Sequence, residues 1–192
     1  MNDKINIEDV FTNIPEIETE RLLLRKMRLE DAVDMFEYAS DPEMTKYTSW
    51  DTHKTVEDSK QFIQMTLEKY ENKEISTWGI EHKQDQKLIG GCGFVYWNPD
   101  HGRTEIGYSI SRSYWNQGLI TEASQALIKF AFDKMKVNRV EARCNVENVG
   151  SERVMQKLGM TYEGILREQI YIKENYEDVK MYSLLKKEYE KR

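Results

Sequence analysis

A mixed-sheet α/β (α+β) domain is what this sequence predicts: a mostly antiparallel sheet with one local parallel pair, flanked by helices. Three observations carry the prediction. Strand-like and helix-like periodicities succeed one another along nearly the whole chain. Short turns join the first strands and pair them antiparallel, whereas a helix at 119–135 links two strands and implies a parallel crossover. No repeat, low-complexity tract or Pro/Ser-rich linker divides the 192 residues, a length that suits one domain with a real core. Residues 1–192 are read as one domain, with 1–15 expected to be a loosely held tail.

The elements follow in order. Glu20 to Met27 reads as a strand around an apolar run. Leu29, Ala32, Val33 and Phe36 then keep the spacing of an amphipathic helix, which Asp41-Pro42 ends. Thr55 to Asp58 is a capping signal for a second helix with Val56, Ile63, Leu67 and Tyr70 on one face. Ile75 to Glu81 and Lys87 to Trp97 are strands joined by a turn at Asp85-Gln86. The second contains Gly90, Gly91 and Gly93, which signals a bulge or a close backbone approach. After the Asn98–Gly102 turn, Thr104 to Ser111 alternates, with Ile106, Tyr108 and Ile110 on one face and Glu105, Gly107 and Ser109 on the other. Leu119, Ala123, Ala126, Leu127, Phe130 and Ala131 stripe the crossover helix. Asn138 to Asn145 is a strand, Ser151 to Leu158 a short helix stopped by Gly159, and 161–173 with 176–185 a closing hairpin.

Bulk properties narrow the function. No run approaches the roughly 18 apolar residues of a membrane span. The amino terminus, MNDKINIEDVF, lacks the basic patch and apolar run of a secretory signal, so a cytoplasmic protein with no membrane partner is expected. The net charge of −6 argues against a nucleic-acid binder. Cys92 and Cys144 stand in apolar strands as buried thiols, and the three histidines are scattered, so no metal site is expected. A homo-oligomer is allowed but not specified.

Three segments could carry chemistry. Trp115-Asn116-Gln117-Gly118-Leu119-Ile120-Thr121 opens a helix, whose first N–H groups and partial positive charge suit a phosphate. Taken alone, it is better explained as an ordinary strand-to-helix turn. The loop lacks both the Gly-Lys-Ser/Thr end of a Walker loop and the three-glycine dinucleotide spacing. Glu105 shares a strand face with small residues, where a carboxylate could take a proton from an amine; a solvated strand carboxylate is the alternative. Asn148 or Ser151 could simply cap a helix, but a hydroxyl at Ser151 could also protonate a leaving thiolate.

In their fixed order these segments, with Glu18 to Arg25, Glu105-Ile106-Gly107-Tyr108, Tyr114 to Ala123, Asn148 to Ser151 and Lys157-Leu158-Gly159-Met160, resemble a GNAT-superfamily N-acetyltransferase. The likeness is strongest to the Rim-type branch, which acetylates the amino termini of ribosomal proteins, and spans about residues 17–185. It implies a GNAT-like domain using acetyl-CoA as cosubstrate. The backbone of Trp115, Asn116, Gln117, Gly118, Leu119, Ile120 and Thr121 would hold the diphosphate. The strand ending at Ile110, with Asn148, would meet the pantetheine arm. Glu105 would be the general base and Ser151 the acid. The sequence departs from many relatives at Trp115 (Gln or Arg), Ile120 (Gly or Ala) and Met155 (Tyr).

The implied acceptor is a protein amino terminus. The alternatives are a small amine (antibiotic, polyamine or amino acid) and a coenzyme A-binding protein without turnover, against which Glu105 and Ser151 weigh. Trp50, Tyr47, Trp97 and Tyr171 could line the acceptor side, or could pack in the core or at the surface.

Overall fold

A computed structural model describes residues 10–191. Its sheet has eight strands in the order β1-β2-β3-β4-β5-β6-β8-β7. These are β1 (Ile17–Glu18), β2 (Leu22–Arg25), β3 (Thr77–His82), β4 (Lys87–Asn98), β5 (Arg103–Ile110), β6 (Arg139–Asn145), β7 (Thr161–Ile172) and β8 (Asn175–Leu185). All neighbours run antiparallel except β5 and β6. The helices are α1 (Ala32–Ala39), α2 (Pro42–Thr45), α3 (Val56–Glu71), α4 (Leu119–Asp133), α5 (Val149–Lys157) and α6 (Lys186–Tyr189). The mixed sheet with a single parallel pair, inferred from turn lengths and the crossover helix, is the fold observed.

Each side of the sheet has its own core. On one side Leu119, Ala123, Leu127 and Ala131 of α4 and Met155 of α5 pack with Trp78, Phe94, Ile106 and Val140. On the other, Met35 and Ala39 of α1 and Ile63 of α3 pack with Met27 and Leu88. Each of the fully buried leucine, isoleucine, phenylalanine and methionine side chains contributes roughly 1.5–3 kcal/mol. α3 begins at the expected signal: Thr55 Oγ1 accepts from Asp58 N–H, and an Asp58 carboxylate oxygen accepts from Thr55 N–H at 2.9 Å.

Three expectations are corrected. Leu29 and Val33 are exposed, and α1 instead buries Ala32, Met35, Tyr38 and Ala39. The apolar spacing was right but its phase was set by packing, with Leu29 in a 3₁₀ turn ahead of the helix. Asp41-Pro42 does not merely end α1; Asp41 caps α2 by accepting from Glu43 N–H. The loosely held tail expected over 1–15 is not found over 10–15, where Phe11 and Ile14 are buried and Trp78 Nε1 donates to the Pro15 carbonyl at 2.8 Å. Residues 1–9 lie outside the described residues.

The glycines of β4 act by close approach. A Cβ on Gly93 would come within 2.5 Å of the Ser76 carbonyl oxygen, and one on Gly90 within 2.3 Å of the Ser109 carbonyl oxygen. The register also shifts between Phe94 and Tyr96. That shift places Tyr96 opposite Glu105 and leaves Val95 exposed beside Gly107.

Candidate active site

The site is built on a split in the sheet. β5 and β6 pair over three rungs only, ending at Glu105 and Glu141. β5 continues to Ile110 and β6 to Asn145, each keeping a ladder on its other side alone. Backbone groups along the inner edges of the split are therefore available to a strand-like ligand.

Glu105 stands at the last paired rung, 4% exposed. Its Oε1 lies 2.9 Å from Arg143 Nε on β6. Burial raises its pKa, Arg143 opposes this, and the neighbouring Glu141 carboxylate adds to the rise. Glu141 in turn accepts from Tyr96 and from Arg139 Nε at 2.6 Å, and Arg139 continues to Glu163 on β7. One face of the split is thus a chain of paired charges. None of these partners is readable from the sequence, because four strands supply them.

The opposite face carries hydroxyls. Tyr108 Oη lies 3.0 Å from Ser151 Oγ and 3.2 Å from the Ser151 carbonyl oxygen. Ser151 is in the first turn of α5, where Asn148 caps the helix by accepting from Ser151 N–H at 3.0 Å. The Asn148 side chain thus performs the capping role. Burial pushes the Tyr108 phenol above the ordinary tyrosine range and the Cys144 thiol up to about 11. Cys144 is thus a poor nucleophile. Tyr108 was placed on this face by strand alternation, but nothing in the sequence pointed to its partner.

The loop at 115–121 has the form its composition requires. Asn116 and Gly118 have φ of 61° and 78°. Glycine reaches that left-handed region freely, and asparagine tolerates it. The first i→i−4 bond of α4 runs from Glu122 N–H to the Gly118 carbonyl, so the amides of 119–121 precede the helical ladder. Trp115 Nε1 donates to the Ile110 carbonyl at 2.9 Å, tying the loop to the end of β5. Gln117 Nε2 donates to the Ser113 carbonyl. Leu119 is buried in the core and Ile120 packs against it, so both offer the loop backbone alone.

A second tie comes from the amino-terminal strands. Arg21 pairs with Glu122 at 2.7 Å and donates to the Gln117 carbonyl at 2.9 Å, while Thr19 donates to Glu122 at 2.6 Å. Partial burial would raise the Glu122 pKa, but the Thr19 and Arg21 hydrogen bonds hold it low. Gly118, Thr121, Arg21 and Lys157 line a cavity of about 330 Å³ here. The clamp explains why the Glu18–Arg25 segment belongs to the site.

The expected acceptor aromatics divide. Trp97 is in the core beside Phe11. Trp50 stacks with His53 and Phe62 against the α1–α3 core. Tyr171 is exposed and stacks with Tyr176 on the closing hairpin. At the tip of that hairpin Lys173 Nζ donates to the Thr45 carbonyl of α2 at 2.5 Å. Among the described residues, no cluster of His, Cys, Asp and Glu could hold a metal ion, and no helix is long and apolar enough to cross a membrane.

Known proteins resemble this chain in sequence and fold. The family model for the acetyltransferase (GNAT) domain matches residues 21–161. The uncharacterized N-acetyltransferase p20 of Bacillus licheniformis is 40% identical over 171 residues, 89% of this chain and 96% of that one. The crystal structure of a GNAT-family acetyltransferase from Bacillus anthracis superposes with a TM-score of 0.79 at 31% identity, covering 90% of this chain and 99% of that one. The ribosomal-protein-serine acetyltransferase of Escherichia coli K12 is 32% identical over 100 residues, 52% of this chain and 56% of that one. The split sheet, the glycine-opened helix and these matches lead to one conclusion: this chain belongs to the GNAT family of N-acetyltransferases and is an acyltransferase.

Proposed function

We propose that the chain moves the acetyl group of acetyl-CoA directly to a primary amine, the α-amino group of a protein such as a ribosomal protein. The observation that carries this is the buried Glu105 carboxylate at the mouth of the β5–β6 split, with Ser151 on the opposite face. The left-handed Gly118 and the free amides of the first turn of α4 fit a diphosphate, and the unpaired edges of β5 and β6 fit an amide-bearing arm. Acetyl-CoA supplies the activated thioester carbonyl.

The chain's residues then have distinct tasks. The amine nitrogen uses its lone pair to form the C–N bond, and the C–S bond breaks with its electron pair on sulfur. Glu105 takes the proton that nitrogen loses, directly or through water, and burial makes it a stronger base than an exposed carboxylate. Backbone N–H groups at the split stabilise the oxyanion. Ser151 faces the sulfur and assists its departure. An α-amino group, with a pKa of about 8, reaches its neutral form more readily than lysine at about 10.4, which suits a carboxylate base.

The test is an acceptor screen with acetyl-CoA, comparing peptides of different first residue with antibiotics, polyamines and amino acids. Peptides with a free amino terminus should show the higher kcat/KM, and blocking that terminus should abolish the product. Turnover of small amines alone would replace the protein acceptor with a small-molecule one.

A further inference from the structure

The bond between Tyr108 and Ser151 has a feature that its distances alone decide. Each hydroxyl has one hydrogen to give. Among the described residues, Tyr108 is the one hydrogen-bond partner of Ser151 Oγ. Tyr108 can instead give its hydrogen to the Ser151 carbonyl oxygen, 3.2 Å away, and then Ser151 must give its own to the phenol. If Tyr108 gives its hydrogen to Ser151 Oγ, the serine hydrogen is free to turn into the split. Two hydroxyl orientations are thus available, and negative charge in the split favours the second.

We propose that Tyr108 is a positioning residue that turns Ser151 into a hydrogen-bond donor toward the departing sulfur of coenzyme A. The proposal rests on the assignment of Ser151 to the sulfur side. It changes what Ser151 does: it stabilises a thiolate by a charge-assisted hydrogen bond and keeps its proton. Burial makes the Tyr108 phenol a weaker acid than a thiol, so no proton leaves it for the sulfur. The surroundings supply no competing charge. Cys144, facing Tyr108 from β6, is held neutral by burial, and Glu152 on α5 is paired with Lys180 on β8 at 2.7 Å. The geometry is fixed from both ends, by β5 beneath Tyr108 and by the Asn148 cap at the Ser151 backbone.

The test is a titration of the thiol of bound coenzyme A, read by thiolate absorbance, in the intact protein and three variants. In the unsubstituted protein the bound thiol should titrate about one pH unit below free coenzyme A, a tenfold shift. Tyr108→Phe and Ser151→Ala should each remove most of that shift, and the double variant should lose no more than Ser151→Ala does. Ser151→Thr, which keeps the hydroxyl, should retain it. Acetyl-CoA affinity should stay within about twofold in Tyr108→Phe, because the thioester sulfur carries no charge, and this also shows that the variant is folded. A parent-like thiol titration in Tyr108→Phe, with Ser151→Ala shifted, overturns the role of Tyr108 and leaves Ser151 in place. A parent-like titration in Ser151→Ala overturns both, since Ser151 then does not face the sulfur.

Discussion

The two faces of the β5–β6 split solve different electrostatic problems. On the Glu105 face, carboxylates and guanidiniums pair from β5 to β7, and the Tyr96 phenol of β4 joins them at Glu141. On the Tyr108 face the reactive groups are neutral hydroxyls, with burial holding the phenol and the Cys144 thiol in their protonated forms. Glu105 and Tyr108 stand three positions apart on one strand. Removing a proton from an amine calls for an anion, and a buried anion needs a cation beside it. A departing thiolate is itself the anion, so a neutral donor serves it without neutralising the base opposite.

This contrast can be broken by experiment. Glu105→Gln keeps the shape and removes the base; kcat/KM should fall about 100- to 10,000-fold while thermal protection by acetyl-CoA survives. Unchanged rates across pH would take the base role from Glu105. Next in size, Ser151→Ala should slow acetyl transfer at saturating amine about tenfold, equivalent to about 1.4 kcal/mol, with little change in KM for acetyl-CoA.

Arg143→Met sharpens the charged face further. Arg143 favours the Glu105 carboxylate, so its loss should raise the Glu105 pKa and move the acid limb of kcat/KM to higher pH. A limb moving downward contradicts the pairing. The smallest effect concerns stability. Arg139 holds the Glu163 pKa at about 2 against an ordinary 4.5. Because the folded-state value is depressed, the stabilisation is present above about pH 4.5 and lost as pH falls through about 2. The Tm difference between the parent and Glu163→Gln should therefore shrink over that window.

Legibility in the sequence followed the range of the interactions. The α3 cap, the Gly118 turn and the alternation in β5 each depend on residues a few positions apart, and all three could be read directly. The phase of α1 could not, because Leu29 and Val33 match the helical spacing as well as Met35 and Ala39 do; only the sheet beneath chose between them. Trp97 illustrates the same limit. Its indole could have faced an acceptor, but packing against Phe11 buries it.

By itself, then, the sequence determined the order of the longer elements, the helix-opening glycine loop, and which residues of β5 share a face. Those are local consequences of backbone geometry and side-chain period. The tertiary structure alone decided that Glu105 is paired with Arg143, that Tyr108 reaches Ser151, and that Lys173 bridges to α2. Each of these contacts joins separate elements across or beside a split sheet, so each depends on strand register and crossover geometry, which no single segment encodes.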